Sequence, residues 1–325
     1  MVVDERRDLL CEWINKSTPY GTCELEVASE DASFRRYFRL HTQAGPLVVM
    51  DAPPDKEPCA SFVHLAGKMR EAGIQVPKVH FQDLEQGFLI LTDFGDLHYQ
   101  EALISEQRNH LYDLAIQEIS RFQTSLGVWS ATLPSFDTQW QSKELEIFRE
   151  WCLPAISQEE FYTYAKPLIE GVCGIPKSFM HRDFHCRNLL VTADGSPGII
   201  DFQGAMHGPI TYDLVSLLRD CYRSNAEDWI DRQVMNFRTQ LIQNGLLRPE
   251  VGEGTFQKWF DWAGLQRHLK CIGIFHRLNI RDGKPQYLSD VPRVLGYIRK
   301  VLKSYPELHD LHAIVEQAEA LSGNP

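Results

Sequence analysis

Near the middle of a chain dominated by helical periodicity stands one short island of strand-like sequence, residues 179–202, and its polar residues constrain most of what the chain can become. The island opens on His181-Arg182-Asp183 and reaches Asn188 five residues after the aspartate. It then runs through the apolar stretch LLVT, turns at Asp194-Gly195 and returns as GIID to end at Asp201. A loop that doubles back in this way presents a carboxylate and, a few residues on, an amide oxygen, and the hairpin that follows brings a second carboxylate toward that amide. Oxygen ligands of this kind suit a hard divalent cation, and a carboxylate beside them suits the alignment of a nucleophile. A zinc reading of His181 and His185 requires a helix and a glutamate in HExxH form, whereas this segment has the composition of a loop.

The order and spacing match the kinase catalytic loop HRDxxxxN in full. On that match Asp183 is the catalytic base, Asn188 and Asp201 are Mg²⁺ ligands, and His181 supports the head of the loop. His185 and Arg187, inside the loop, are the expected contacts to the acceptor, with loop packing an equal reading for His185. Asp93-Phe94-Gly95 also spells the DFG of protein kinases, but it precedes the catalytic loop, and the metal-binding aspartate should follow it. The counterpart is therefore Asp201-Phe202-Gln203. Residues 92–96 read as a connector, with backbone groups of Leu91 to Asp93 as partners for the adenine of ATP.

Around the island the pattern divides in two. A short helix at 4–16 is followed by strand-like runs at 23–29, 34–42 and 46–53, a helix at 61–71 ending at Gly73, and two further strands ending in FLILTDFG. Beyond Leu97 apolar residues recur at three-to-four spacing over 104–125, 141–151, 157–170, 211–222, 226–245, 255–281 and 291–303. The fold class is α+β, a protein-kinase-like two-lobed fold with a small β-rich N-lobe, 1–93, and a large helical C-lobe, 94–325.

Two parts expected of such an N-lobe are missing. No glycine occurs between Gly21 and Gly45, so the glycine-rich phosphate loop is replaced by Ser29-Glu30-Asp31-Ala32-Ser33, whose small residues, Ser33 among them, can still offer backbone N–H groups to a nucleotide. No lysine occurs between Lys16 and Lys56, so the third strand lacks the phosphate-clamping lysine. Alternation places Phe34, Arg36, Phe38 and Leu40 on one face of the second strand and Arg35, Tyr37 and Arg39 on the other. An arginine on the apolar face requires an anion: nucleotide phosphate, or a salt bridge to Asp51 or Asp201.

The balance of charge, 33 basic against 44 acidic residues for a net −11, excludes a protein whose business is neutralising a phosphate backbone, so nucleic acid is not an expected partner. Eight cysteines lie scattered without a CxxC pair, the pattern of reduced thiols, which points to a cytoplasmic location. No run of 18 apolar residues is present and the amino terminus is charged and amphipathic, so neither a membrane span nor export is expected. Nothing signals an obligate protein partner. A Walker ATPase is excluded by the absence of GxxxxGK[ST].

HRDFHCRNLLV followed by GIIDFQGAMHGPITYDLVSLLRDCY resembles the aminoglycoside phosphotransferase and choline kinase superfamily, which shares the protein kinase fold but phosphorylates small molecules. SxDASFRRYFR, VVMDAPP, the block QRHLKCIGIFHRLNIRDGKPQYLSDVPR and the closing YPEL resemble, more narrowly, the bacterial family of anomeric kinases for N-acetylmuramate and N-acetylglucosamine. The resemblance implies ATP and Mg²⁺ as cofactors, an amino sugar phosphorylated at its anomeric hydroxyl for peptidoglycan recycling, and Asp213 as a buried brace for the catalytic loop. Independently, Arg267, Lys270 and Arg277 fall near one face of the helix around 265–281, with His268, His276, Arg281 and Lys284 nearby. Such a cluster is either a solvated helix face or a site for the lactyl carboxylate or product phosphate, with Arg267 and Lys270 as the substrate contacts. Its basic character disfavours a cationic acceptor such as choline, ethanolamine or an aminoglycoside. Retention of Asp183, Asn188 and Asp201 disfavours a pseudokinase scaffold. Trp259, Phe260 and Trp262 read as core in preference to a sugar-stacking platform.

Overall fold

The computed structural model describes residues 4–21, 24–30 and 34–322, so Ser33 lies outside the described residues. The chain divides into two compact units, Met1–His98 with Leu189–Gln203, and Tyr99–Asn188 with Gly204–Pro325. The hairpin segment 189–203, assigned from sequence to the second domain, groups with the first unit.

In chain order the first unit contributes α1 (Glu5–Ser17), β1 (Leu25–Glu30), β2 (Arg36–Thr42), β3 (Gly45–Asp51), α2 (Ala60–Glu71), β4 (Val79–Asp83) and β5 (Phe88–Thr92). The second supplies α3 (Tyr99–Ala102), α4 (Arg108–Leu126), α5 (Thr138–Cys152), α6 (Gln158–Cys173) and β6 (Lys177–Met180). The first resumes with β7 (Leu189–Val191) and β8 (Pro197–Ile199). The second then closes with β9 (Met206–Pro209), α7 (Tyr212–Leu218), α8 (Glu227–Gln243), α9 (Glu253–Asp282), α10 (Val291–Ser304) and α11 (His309–Ser322).

The first unit is built on a five-stranded antiparallel sheet in the order β1-β2-β3-β5-β4. The β2–β3 hairpin pairs Thr42 with Gly45, and the φ of +118° at Gly45 is one that glycine adopts without a Cβ penalty. Helix α1 begins where the Asp4 side chain accepts a hydrogen bond from Arg7 N at 3.1 Å, satisfying one of the unpaired N–H groups of the first turn. Its Leu10, Trp13 and Ile14 bury against Phe38, Leu40, Val49, Phe88 and Ile90 of the sheet. Each fully buried side chain of this kind contributes about 1.5–3 kcal/mol. The apolar face of β2 is thus closed by α1. That favours the salt bridge to Asp51 over nucleotide phosphate as the anion for Arg36.

The second unit is organised around α9. Every residue from Phe260 to Gly273 is buried, so this stretch has no solvent face and forms the core of the unit. Contact with α5 is close enough that a Cβ at Gly273 would lie 2.6 Å from Phe148 N and 2.7 Å from Ile147 C. At Gly171 of α6 the missing side chain makes room for the Trp262 ring. Strands β6 and β9 pair antiparallel, Met180 opposite Met206, and deliver the chain into the loop at 181–188. Helix α7 stops at Leu218, short of the expected 222, because Asp220 Oδ1 accepts from Tyr222 N at 2.7 Å and turns the chain away.

Candidate active site

The loop that follows β6 is held from two sides within the second unit. Asp213, at the start of α7, accepts from His181 N at 2.7 Å and from Arg182 N at 2.9 Å. Asp220 Oδ2 accepts from Cys186 N at 2.8 Å. Asn188 Nδ2 donates to the Asp183 carbonyl at 2.9 Å, which orients the other atom of its amide, an oxygen, as the potential metal ligand. His181 is buried, stacked 6.4 Å from Phe122 and edge-on to Phe184. Burial pushes Asp213 up to about 7 against the pull of its two backbone donors.

Asp183 keeps about a third of its side chain exposed, 35%, at the surface of an otherwise buried charge network. Lys270 Nζ lies 3.8 Å from Asp183 Oδ1 and 3.4 Å from Glu144 Oε1. Glu144 also takes Arg182 at 2.8 Å, the Gln266 amide at 2.9 Å and the Trp140 indole at 3.3 Å. Desolvation pushes Asp183 up, but Lys270, Arg182 and Arg267 outweigh it and hold the carboxyl well below its ordinary range. Glu144 follows the same pattern, lowered by Lys270 and Arg182 in spite of burial.

Among the described residues, the non-glycine positions with positive φ are Arg182 at 81° and Asp201 at 61°. Arg182 adjoins Asp183 and Asp201 is itself singled out by spacing, and strained backbone of this kind persists only where its surroundings enforce it. Asp201 belongs to the first unit, after β8, where Gln203 Nε2 donates to its Oδ1 at 2.6 Å and Phe202 packs 4.7 Å from Phe62 of α2. The Asp201 carboxylate, like the amide of Asn188 in the second unit, offers oxygen donors of the kind a hard cation such as Mg²⁺ takes.

The surroundings of the other expected contact residues differ from one to the next. Arg36 is taken by Asp51 at 2.6 Å and by Asp4 at 2.6 Å, the salt-bridge reading of its sequence position, because α1 covers that face and Asp51 is wholly buried. Leu91 lies inside β5, opposite Val48 on one side and Val79 on the other. The Asp93 carboxylate accepts from Arg39 Nε and from Gly95 N, each at 2.7 Å. Arg267 is 2% exposed and donates to Cys221 Sγ at 3.3 Å, so neither it nor the buried Lys270 belongs to a solvated face. Arg187 is half-buried, its guanidinium 3.5 Å from the Tyr222 ring centroid and bonded to Gln100 Oε1 at 2.9 Å. Burial pushes His185 down to about 4, leaving it neutral at physiological pH beside Tyr222. Glu144, Asp220 and Gln266 went unrecognised in the sequence. The signal for Glu144 was present: with Gln141 it falls on the same helical stripe as Leu145, Phe148 and Cys152.

A five-stranded antiparallel sheet in one unit and a helical bulk in the other, with an HRDxxxxN loop after β6, define a kinase-like phosphotransferase fold. The chain belongs to the phosphotransferase enzyme family, whose profile matches residues 24–263. It is 38% identical over 296 residues to the N-acetylmuramate/N-acetylglucosamine kinase of Pseudomonas aeruginosa, covering 89% of this chain and 86% of that one. It is 36% identical over 324 residues to the kinase of the same name from Neisseria meningitidis, covering 96% and 95%. Among solved structures, a thermostable mutant of an aminoglycoside phosphotransferase in ternary complex with ADP and hygromycin B has the same fold. Its TM-score is 0.59 at 14% identity, over 92% of this chain and 99% of that one. None of the helices among the described residues is long and apolar enough to cross a membrane.

Proposed function

We propose that the chain transfers the γ-phosphoryl group of ATP to the anomeric hydroxyl of N-acetylmuramate or N-acetylglucosamine, giving the sugar 1-phosphate for peptidoglycan recycling. The observation that carries the reaction class is the partly exposed Asp183 carboxylate beside a buried lysine, on a loop braced by Asp213 and Asp220. The acceptor rests on the two kinases that match nearly the whole chain.

Asp183 accepts a hydrogen bond from the acceptor hydroxyl and aligns its oxygen for attack. An anomeric hydroxyl is more acidic than an ordinary alcohol, so a carboxylate held below its usual range suffices as the base, and positioning supplies most of the effect. Asn188 and Asp201 are the proposed Mg²⁺ ligands; bound there, the ion supplies charge neutralisation for the phosphate oxygens. Of the expected run Leu91 to Asp93, Leu91 and Thr92 spend backbone groups on the sheet, so adenine is read by backbone groups at Asp93, just past β5, whose side-chain carboxylate is already fixed by Arg39. Arg187, held flat against Tyr222, is a preorganised fork for an oxyanion or hydroxyl of the sugar. Free thiols at Cys11, Cys59, Cys152, Cys173, Cys186, Cys221 and Cys271 support a reducing compartment, the cytoplasm.

The test is a coupled assay of ADP release with ATP, Mg²⁺ and each sugar. Turnover with either N-acetylated sugar and none with choline or an aminoglycoside is expected. Asp183→Asn should lower kcat by about 10²–10⁴-fold with nucleotide affinity retained. Turnover with choline alone would transfer the proposal to another acceptor.

A further inference from the structure

In protein kinases the lysine that binds the nucleotide phosphates stands on the third strand and is held by a glutamate on the helix that follows. Here the corresponding run on β3 ends in Met50-Asp51, and Met50, opposite Tyr37 in the β2–β3 register, is wholly buried. Two residues before Tyr37, on the same side of the chain by alternation, is Arg35. Its Nη2 lies 2.6 Å from Glu57 Oε2, with 12% of the arginine side chain and 23% of the glutamate exposed. Glu57 stands just ahead of α2. A cation from the entry to β2 and a carboxylate from the approach to α2 therefore reproduce the lysine–glutamate couple, each partner supplied from a neighbouring position in the chain.

We propose that Arg35 is the phosphate-binding cation of the nucleotide site and that Glu57 holds it in position. The inference rests on the ATP-dependent reading above. Burial opposes charge on Arg35, but Tyr37, Glu57 and Asp201 together raise its pKa, so the cation lies within electrostatic reach of a proposed metal ligand. The other basic residues of the run are committed elsewhere: Arg36 to Asp51 and Asp4, Arg39 to Asp93 and Asp96. A guanidinium carries five donors in one plane, so an ion pair with Glu57 and a bond to a phosphate oxygen are compatible. The same geometry accounts for the loss of the strand lysine, since a second cation at position 50 would add like charge beside Arg35.

The experiment measures binding of ATP, ADP and adenosine by calorimetry, without sugar, to the full chain and its Arg35→Met, Arg35→Gln, Arg35→Lys and Arg36→Met variants. Thermal melts establish that each is folded. Arg35→Met and Arg35→Gln are expected to weaken ATP about 10- to 100-fold while adenosine affinity stays unchanged. Arg35→Lys should recover part of the ATP affinity, and Arg36→Met should leave it at the wild-type value. The two neutral variants are independent, so one that fails to fold leaves the other to decide. ATP affinity within about twofold of wild type in a folded neutral variant overturns the proposal, as does an equal loss for ATP and adenosine. Absence of ATP binding by the wild-type chain would instead strike the functional reading.

Discussion

Lys270 Nζ sits 3.8 Å from Asp183 Oδ1, buried to 5% exposure on a helix that begins 70 residues after Asp183, and the pair decides how the proposed base titrates. The ammonium lowers the Asp183 pKa against the opposing cost of desolvation. Removing it raises that pKa toward the ordinary carboxylate range. Lys270→Met is therefore expected to move the acid limb of the kcat/KM profile to higher pH, and Lys270→Arg to return it. The pH dependence of kcat/KM for the three proteins checks this, and an acid limb that does not move in Lys270→Met contradicts it.

Glu144 is the hub that holds both Lys270 and Arg182. Glu144→Ala leaves the buried Lys270 and the partly buried Arg182 without their carboxylate, a loss of about 3–5 kcal/mol of stability. The folded-state pKa of Glu144 is depressed, so its contribution is present above the unfolded value of about 4.5 and is lost as pH falls through the lower folded value. Urea unfolding at neutral and acid pH should show the variant's deficit shrinking on acidification.

Much of this organisation was legible in the chain. Three-to-four periodicity located α2, expected at 61–71 and found at Ala60–Glu71, and α9, expected at 255–281 and found at Glu253–Asp282. The loop with Asp183 and Asn188 stands out because its spacing is chemical and independent of packing. What periodicity does not supply is the identity of the neighbour across a face. Strand alternation correctly separated Arg36 from Arg35, but an apolar face is claimed by whatever covers it, here α1 through Leu10, Trp13 and Ile14. In the same way the sequence leaves Arg267 and Lys270 as either a solvated face or an anion site, and it is the enclosure of residues 260–273 of α9 that rules out the solvated face. Helix α11 went unrecognised although its buried Leu311, Ile314, Val315 and Ala318 carry helical spacing.

The contact between α5 and α9 sets a third expectation. A methyl at Gly273 would meet the backbone at Phe148 N and Ile147 C, which has no rotamer to yield. Gly273→Ala should destabilise by about 1–3 kcal/mol in spite of alanine's higher helix propensity. Its denaturation midpoint against wild type measures this; a stabilised variant would mean that the helices separate freely.

The central claim is tested most directly by ³¹P NMR of the product formed from ATP, Mg²⁺ and N-acetylmuramate or N-acetylglucosamine. A phosphomonoester coupled to the anomeric proton, absent from the reaction with Asp183→Asn although that variant still binds ATP, is the predicted result. A phosphoryl group coupled to the methylene protons of the sugar's six position, or no sugar phosphate at all, would contradict the account.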